Sequence, residues 1–276
     1  MNYNILILSN LNNIESKEDI LIKDRFEKDG NKVDIMWIDY DEKLDSNYDL
    51  IIRRDTWIEN ENDTIYYKQK NSELIKRLVT SLKTINLIGL DGRGKEYLKD
   101  LYYKNMTVIP TTDILEDALK WNSSDYVLKV KDSFGSGICQ KFVSKEELPK
   151  NFNDKFLIQP KLKFKSEVQV YFINNRLMYA YEYTPSKYPD YPEPKLINLT
   201  EEEILLAKEF ADISDIKFGM KRIDFLRLLD DSLILLEIED NSPHMNIDIL
   251  DEELRNEVLD FYVNGIYEYL QNIKMK

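Results

Sequence analysis

Three acidic side chains set on two apolar runs near the C-terminus leave that part of the chain few ways to fold. Arg222-Ile223-Asp224-Phe225 precedes a second run, Leu233 to Leu236, which ends in Glu237-Ile238-Glu239. As two neighbouring strands, these segments bring Asp224, Glu237 and Glu239 within reach of one another. Glu237 and Glu239 share a face, because side chains i and i+2 of a strand point the same way. Two carboxylates projecting from an apolar strand are costly unless positive charge sits between them. Hard oxygen donors of this kind suit Mg²⁺, which is held by one or two carboxylates plus the phosphates of a nucleotide. The hairpin therefore predicts a nucleotide enzyme, provided that a phosphate-binding half exists elsewhere.

Composition narrows the setting. The 276 residues allow one large domain or two small ones, and 43% apolar content supports real cores. A net charge of −13 argues against nucleic acid, whose phosphates want a basic face. The single cysteine, Cys139, excludes an internal disulfide framework and a cysteine metal site. The lone histidine, His244, removes mechanisms needing a Ser-His or Cys-His pair elsewhere. No basic start with a long apolar stretch marks a signal peptide, and no run approaches the roughly 20 apolar residues that span a bilayer. The expectation is a cytoplasmic protein with no membrane partner.

The first 90 or so residues alternate strand and helix, predicting a small parallel α/β domain over 1–90. Strands are expected at Asn4–Leu8, Val33–Ile38 and Leu50–Ile52, with a helix opened by a Ser16–Asp19 capping box and closed by Gly30. A further helix is expected over Asn71–Leu82. Arg53 and Arg54 fall just past the third strand, where ligands of such sheets bind, or else they are surface charge beside Trp57. Helices at Lys95–Tyr103 and Asp113–Trp121 follow, and strands dominate from Tyr126, including Phe156–Gln159, Glu167–Ile173 and Leu177–Tyr183. Asn174-Asn175 is a hairpin turn, and the four prolines of Pro185–Pro194 require a loop. Thr200 and Glu203 cap another helix, and an amphipathic helix over Asp251–Ile273 closes the chain. The expected divisions are 91–155, carrying a glycine loop, and 156–276, carrying the acidic hairpin.

The phosphate half is sought after the strand bearing Lys129. Ser133-Phe134-Gly135-Ser136-Gly137 is either a plain hairpin turn or a loop whose backbone N–H groups face phosphate oxygens. It is neither the P-loop nor the dinucleotide fingerprint. Along the chain come Lys95, Lys129, the glycine loop, Gln159-Pro160-Lys161-Leu162, Glu167 and the acidic hairpin. With Arg54-Asp55-Thr56-Trp57, Lys95-Glu96-Tyr97-Leu98 and Pro110-Thr111, that order resembles the ATP-grasp superfamily over most of the chain. Within it, the RimK- and glutathione-synthetase-like carboxylate–amine ligases near the D-cycloserine biosynthesis group are the nearest in motif.

The resemblance implies an α+β ATP-grasp fold in which two subdomains clasp ATP behind the small parallel domain. It implies that Lys95 and Lys129 hold the phosphates and that Ser133, Gly135, Ser136 and Gly137 form a lid. Gln159 with the backbone of Lys161 and Leu162 would read the adenine edge, and Glu167 would accept the ribose hydroxyls. Asp224, Glu237 and Glu239 would bind one or two Mg²⁺, with Mn²⁺ as the alternative ion, and Arg222 would stabilise the acyl phosphate. Arg53, Arg54 and His244 would face the substrate; for His244 a structural role is the other reading. Many relatives carry Glu-x-Asn where this chain has Glu237-Ile238-Glu239, so Asn241 is a competing ligand if the strand bulges there. Gln169 stands where many relatives have a basic residue.

The implied activity is ATP-dependent joining of a carboxylate to an amine, on an amino acid or small peptide. Two alternatives remain: a ligase modifying a ribosomal precursor peptide, and a non-catalytic nucleotide-binding scaffold. Relatives are often dimers or tetramers, which leaves a homo-oligomer open.

Overall fold

The computed structural model describes residues 2–9, 16–37, 41–54, 73–74, 76–78, 83–85, 89–90, 93–131, 140–149, 155–184, 194–240 and 242–274. The glycine loop, Asp55–Trp57, Asn241 and most of the proline loop lie outside these residues.

A four-stranded parallel sheet forms from β1 (Asn4–Leu8), β2 (Lys32–Met36), β3 (Leu50–Arg53) and β4 (Thr84–Ile85), in the order β2-β1-β3-β4. Helix α1 (Ser16–Lys28) makes the crossover from β1 to β2, and Gly30 ends it at φ +84°. The chain reverses direction across the sheet between β1 and β3, so the ends of those strands form the crevice where ligands of such sheets lie.

Helices α2 (Tyr97–Tyr103) and α3 (Leu115–Leu119) come next, the latter shorter at both ends than the expected 113–121. Strands β5 (Asp125–Val130), β6 (Gln140–Ser144) and β7 (Phe156–Pro160) form an antiparallel sheet ordered β6-β5-β7. One face, with Tyr126, Leu128, Val143 and Ile158, buries itself with Ala118 of α3. Strand β7 thus extends this sheet past the expected 155/156 division.

The third sheet is β10-β9-β8-β11-β12, built from β8 (Phe164–Ile173), β9 (Arg176–Tyr183), β10 (Lys195–Ile197), β11 (Met220–Leu228) and β12 (Leu233–Glu239). Asn174 and Asn175 turn β8 into β9 with φ of 46° and 65°, as their tolerance of positive φ predicts. Helix α4 (Glu201–Ala211) starts with the expected capping box, in which Thr200 and Glu203 satisfy each other's backbone N–H. Its Ala207 and Phe210 pack on Val168, Val170, Ile223, Phe225, Leu235 and Ile238, which form the apolar face of the sheet. Helix α5 (Glu252–Lys274) joins the parallel sheet and the end of the third sheet in one core that includes Ile5, Phe26, Tyr171, Met220 and Tyr262. No described helix is long and apolar enough to cross a membrane.

Candidate active site

The polar face of the third sheet is set by strand register. Arg222 lies opposite Glu239 and Asp224 opposite Glu237 on one side, and on the other Arg222 faces Tyr171 and Asp224 faces Gln169. Directly opposed residues share a face, so one surface collects Arg222, Asp224, Glu237, Glu239, Gln169 and, one rung along, Glu167. Simple alternation along β12 would put Leu235 and Glu237 on the same side. The register shifts between Asp224 and Phe225, pairing Phe225 with Leu235 and leaving Leu236 as an extra residue. This bulge lets Leu235 enter the apolar core while Glu237 turns to the polar face.

Carboxylate oxygens of Asp224, Glu237 and Glu239 lie within 4.8 Å of one another. Three cations from separate elements converge on them. Lys95, just before α2, sits 3.0 Å from Glu237 Oε2, and Lys129 of β5 sits 3.9 Å from the same oxygen. Arg222 donates to both Asp224 oxygens at 2.8 and 2.9 Å, to Glu239 at 2.8 Å and to the His244 carbonyl at 3.0 Å. Burial would raise the Glu237 carboxyl, but Lys95 and Lys129 pull it down to about 2. Burial pushes Asp224 and Glu239 up, with Arg222 resisting and neighbouring carboxylates adding to the rise. Glu167 is raised by burial and by Asp224 and Glu237, so it shares their field. These hard oxygens, gathered within 4.8 Å of one another, have the donor chemistry of a Mg²⁺ site.

No protein-family model and no curated protein matches the sequence. Solved structures match over nearly the whole chain. D-cycloserine synthetase DcsG is 17% identical with a TM-score of 0.71, covering 97% of this chain and 99% of its own. D-alanine–D-alanine ligase from Bacillus anthracis, solved with ATP, is 14% identical with a TM-score of 0.66, covering 99% of each chain. A Chryseobacterium gregarium RiPP-associated ATP-grasp ligase, solved with ADP and leader and core peptides, is 13% identical at 0.66, covering 96% and 97%. The chain has the ATP-grasp fold.

Other expected site residues fall elsewhere on this ATP-grasp frame. Gln159 is buried on β7 and donates to Thr111 Oγ1 at 2.9 Å. The Lys161 N–H donates to the Asp125 carbonyl at 2.9 Å, so it is taken by the sheet, and its ammonium lies 5.4 Å from the Phe142 ring centre. Arg54, expected on the substrate side, is tied into the protein interior. It is buried, and it binds Glu18 and Asp19 at 2.7 Å each and the Pro243 carbonyl at 3.0 Å. The Arg53 carbonyl accepts from the Ser242 hydroxyl, so this side of the crevice also holds the loop after β12. The His244 ring approaches Glu18 at 3.5 Å while its carbonyl steadies Arg222. Glu18, His244 and Asp248 form a second set of ligating side chains, but Glu18 already accepts from Arg54 and from the Met245 and Ile247 amides. Ser133, Gly135, Ser136, Gly137 and Asn241 lie outside the described residues.

Two residues were missed in sequence. Lys131, two positions past Lys129, is buried against Asp113 at 2.7 Å and Glu96 at 3.1 Å, and its carbonyl accepts the Lys95 N–H. The Lys-Val-Lys spelling of the strand end carries that signal. Asn246, at φ 52°, donates to the hydroxyls of Tyr171 and Tyr183 and borders the polar face beside Arg222. It has no local sequence signature.

Proposed function

We propose that the chain is an ATP-dependent carboxylate–amine ligase acting on an amino acid or small peptide. A substrate carboxylate oxygen attacks the γ-phosphorus of ATP, and the bond to ADP breaks. An amine then attacks the acyl carbon of the resulting acyl phosphate, phosphate leaves, and the amine loses a proton as the amide forms. The observation carrying this reading is the convergence of Lys95, Lys129 and Arg222 on Asp224, Glu237 and Glu239.

In this reading Lys95 and Lys129 hold the phosphates, and Asp224, Glu237 and Glu239 hold one or two Mg²⁺, or Mn²⁺. When bound, the ion neutralises charge on the phosphate oxygens in transfer. Arg222, fixed by the two acids and the His244 carbonyl, offers a preorganised cation to the oxyanion formed on the acyl carbon. Glu167 takes the ribose hydroxyls. Gln159, the Lys161 carbonyl and the Leu162 backbone face the adenine, and the 133–137 loop excludes water, which hydrolyses acyl phosphates. The three functional parts are 1–90, 91–160 and 161–276, with His244 and Arg53 on the substrate side.

Mg²⁺-dependent ADP release should appear with mixed amino-acid pools and vanish in Asp224→Ala. Absence of ATP binding at millimolar nucleotide would sink the reading. Ligation on a ribosomal precursor peptide is the second reading, supported by the likeness to ligases solved with such peptides. A small peptide gene beside this one, and ADP release that needs its product, would favour it. A non-catalytic scaffold fits poorly with three clustered acids held under charge strain; nucleotide binding without turnover across broad pools would favour it.

A further inference from the structure

Strand β12 ends its sheet, so its outer backbone groups need partners from outside the sheet. Leu235 is served by the 107–109 segment, whose Thr107 carbonyl and Ile109 N–H bond it at 3.0 and 3.1 Å. Ile238 is served by one side chain. The Tyr97 hydroxyl accepts the Ile238 N–H at 2.8 Å and donates to the Ile238 carbonyl at 3.3 Å. Two residues on, the Asp240 carboxylate accepts the Leu90 N–H at 2.8 Å, and a Cβ on Gly89 would fall 2.1 Å from it, so the two segments meet in close contact.

Ile238 stands between the two carboxylates of this strand. Its N–H belongs to the peptide unit shared with Glu237, and its carbonyl to the unit shared with Glu239. A single hydroxyl therefore fixes both peptide planes from which these side chains spring. The same segment carries Lys95, two residues earlier, which pairs with Glu237. The Tyr97 ring is buried with Leu98, Val108, Ile223 and Ile238, so the hydroxyl has little freedom to move.

We infer that Tyr97 is a positioning residue for the Glu237 and Glu239 carboxylates, and that it tunes them for the strict octahedral geometry of Mg²⁺. The inference rests on the metal reading of the site given above. Mg²⁺ demands near-ideal geometry at short range, so loosening these ligands penalises it more than the larger Mn²⁺.

The test is Tyr97→Phe, which keeps the ring and removes the hydroxyl. Hydrogen exchange of the apo protein should speed up at least tenfold at the Ile238 amide, with β8 unchanged; equal protection at Ile238 overturns the inference. Binding of the ATP analogue AMPPNP is then titrated with Mg²⁺ and, separately, with Mn²⁺. The Mg²⁺ concentration for half-maximal binding should rise fivefold or more, and that for Mn²⁺ less than twofold. An equal rise with both ions marks general loosening and refutes the tuning, as does no change with Mg²⁺. If wild type binds no AMPPNP with either ion, the ligase reading falls, and the exchange result alone judges the positioning role. Should Tyr97→Phe fail to fold, exchange in Leu90→Pro, which removes the neighbouring Asp240 partner, must leave Ile238 protected for Tyr97 to be its anchor.

Discussion

At the residue scale, the strongest commitment of the molecule outside the acid cluster is Arg54. Its guanidinium is enclosed with Glu18 and Asp19, and Asp19 also accepts from the Ser9 hydroxyl. Breaking a buried pair by removing one partner leaves uncompensated charge and costs ~3–5 kcal/mol. Arg54→Met should lower the unfolding free energy by about that much in urea melts; a loss below ~1 kcal/mol would contradict the tie. Glu18 makes a pH test. Burial pushes its carboxyl from 4.5 up to about 7, against Arg54 and the amides of Met245 and Ile247. Because the folded value is raised, folding takes up a proton between these limits. Stability from this group therefore grows as pH falls from 7 towards 4.5 and is lost as pH rises through 7. The gap between wild type and Glu18→Gln should widen in favour of wild type by up to ~3 kcal/mol across that window; a gap independent of pH would refute it. In sequence, Asp19 reads as part of a capping box. Nothing local says that the fold draws it to an arginine 35 positions away.

At the element scale, the bulge at Leu236 keeps the acids facing the site despite the extra residue. A slip of one residue sends a strand's side chains to the opposite face. Deleting Leu236 takes out the extra residue, so plain alternation keeps Leu235 in the core and Glu237 and Glu239 on the polar face, and Mn²⁺ binding, read by electron paramagnetic resonance, should survive; loss of binding would contradict the bulge. Leu236→Val, which keeps the count, should retain binding too. Thr200→Ala, by loss of the α4 cap, should cost ~1 kcal/mol, read by thermal melting. Long elements with strong patterns were legible in the chain: β1, β8, β9, α4 and α5 fall within a few residues of expectation. The short edge strands β4 and β10 were not, because pairing with a neighbour, rather than their own two or three residues, makes them strands. The acidic hairpin could be read since alternation alone gathers its charges. Its bulge could not, since an extra leucine among leucines leaves no mark.

At the scale of the whole molecule, the order of lysines, hinge and acids along the sequence foreshadowed the fold, which the shared topology with ATP-grasp ligases bears out. Which side chains tie the segments around the site together was harder to read. Arg54 and Asn246 owe their places to contacts between segments far apart in the chain. Those contacts also divide the protein mechanically. The parallel sheet, α1, α5 and the far end of the third sheet share one large core, whereas the β5–β7 sheet closes over a small core of its own with α3. The molecule is thus an anvil with a light hammer. Heat or denaturant should release α3 and the strands β5, β6 and β7 first, and exchange measured by mass spectrometry should find their amides opening while those of β1 and β11 stay closed. Lys129 rides on the hammer and Glu237 on the third sheet, so the 3.9 Å pair between them is a rivet joining the two.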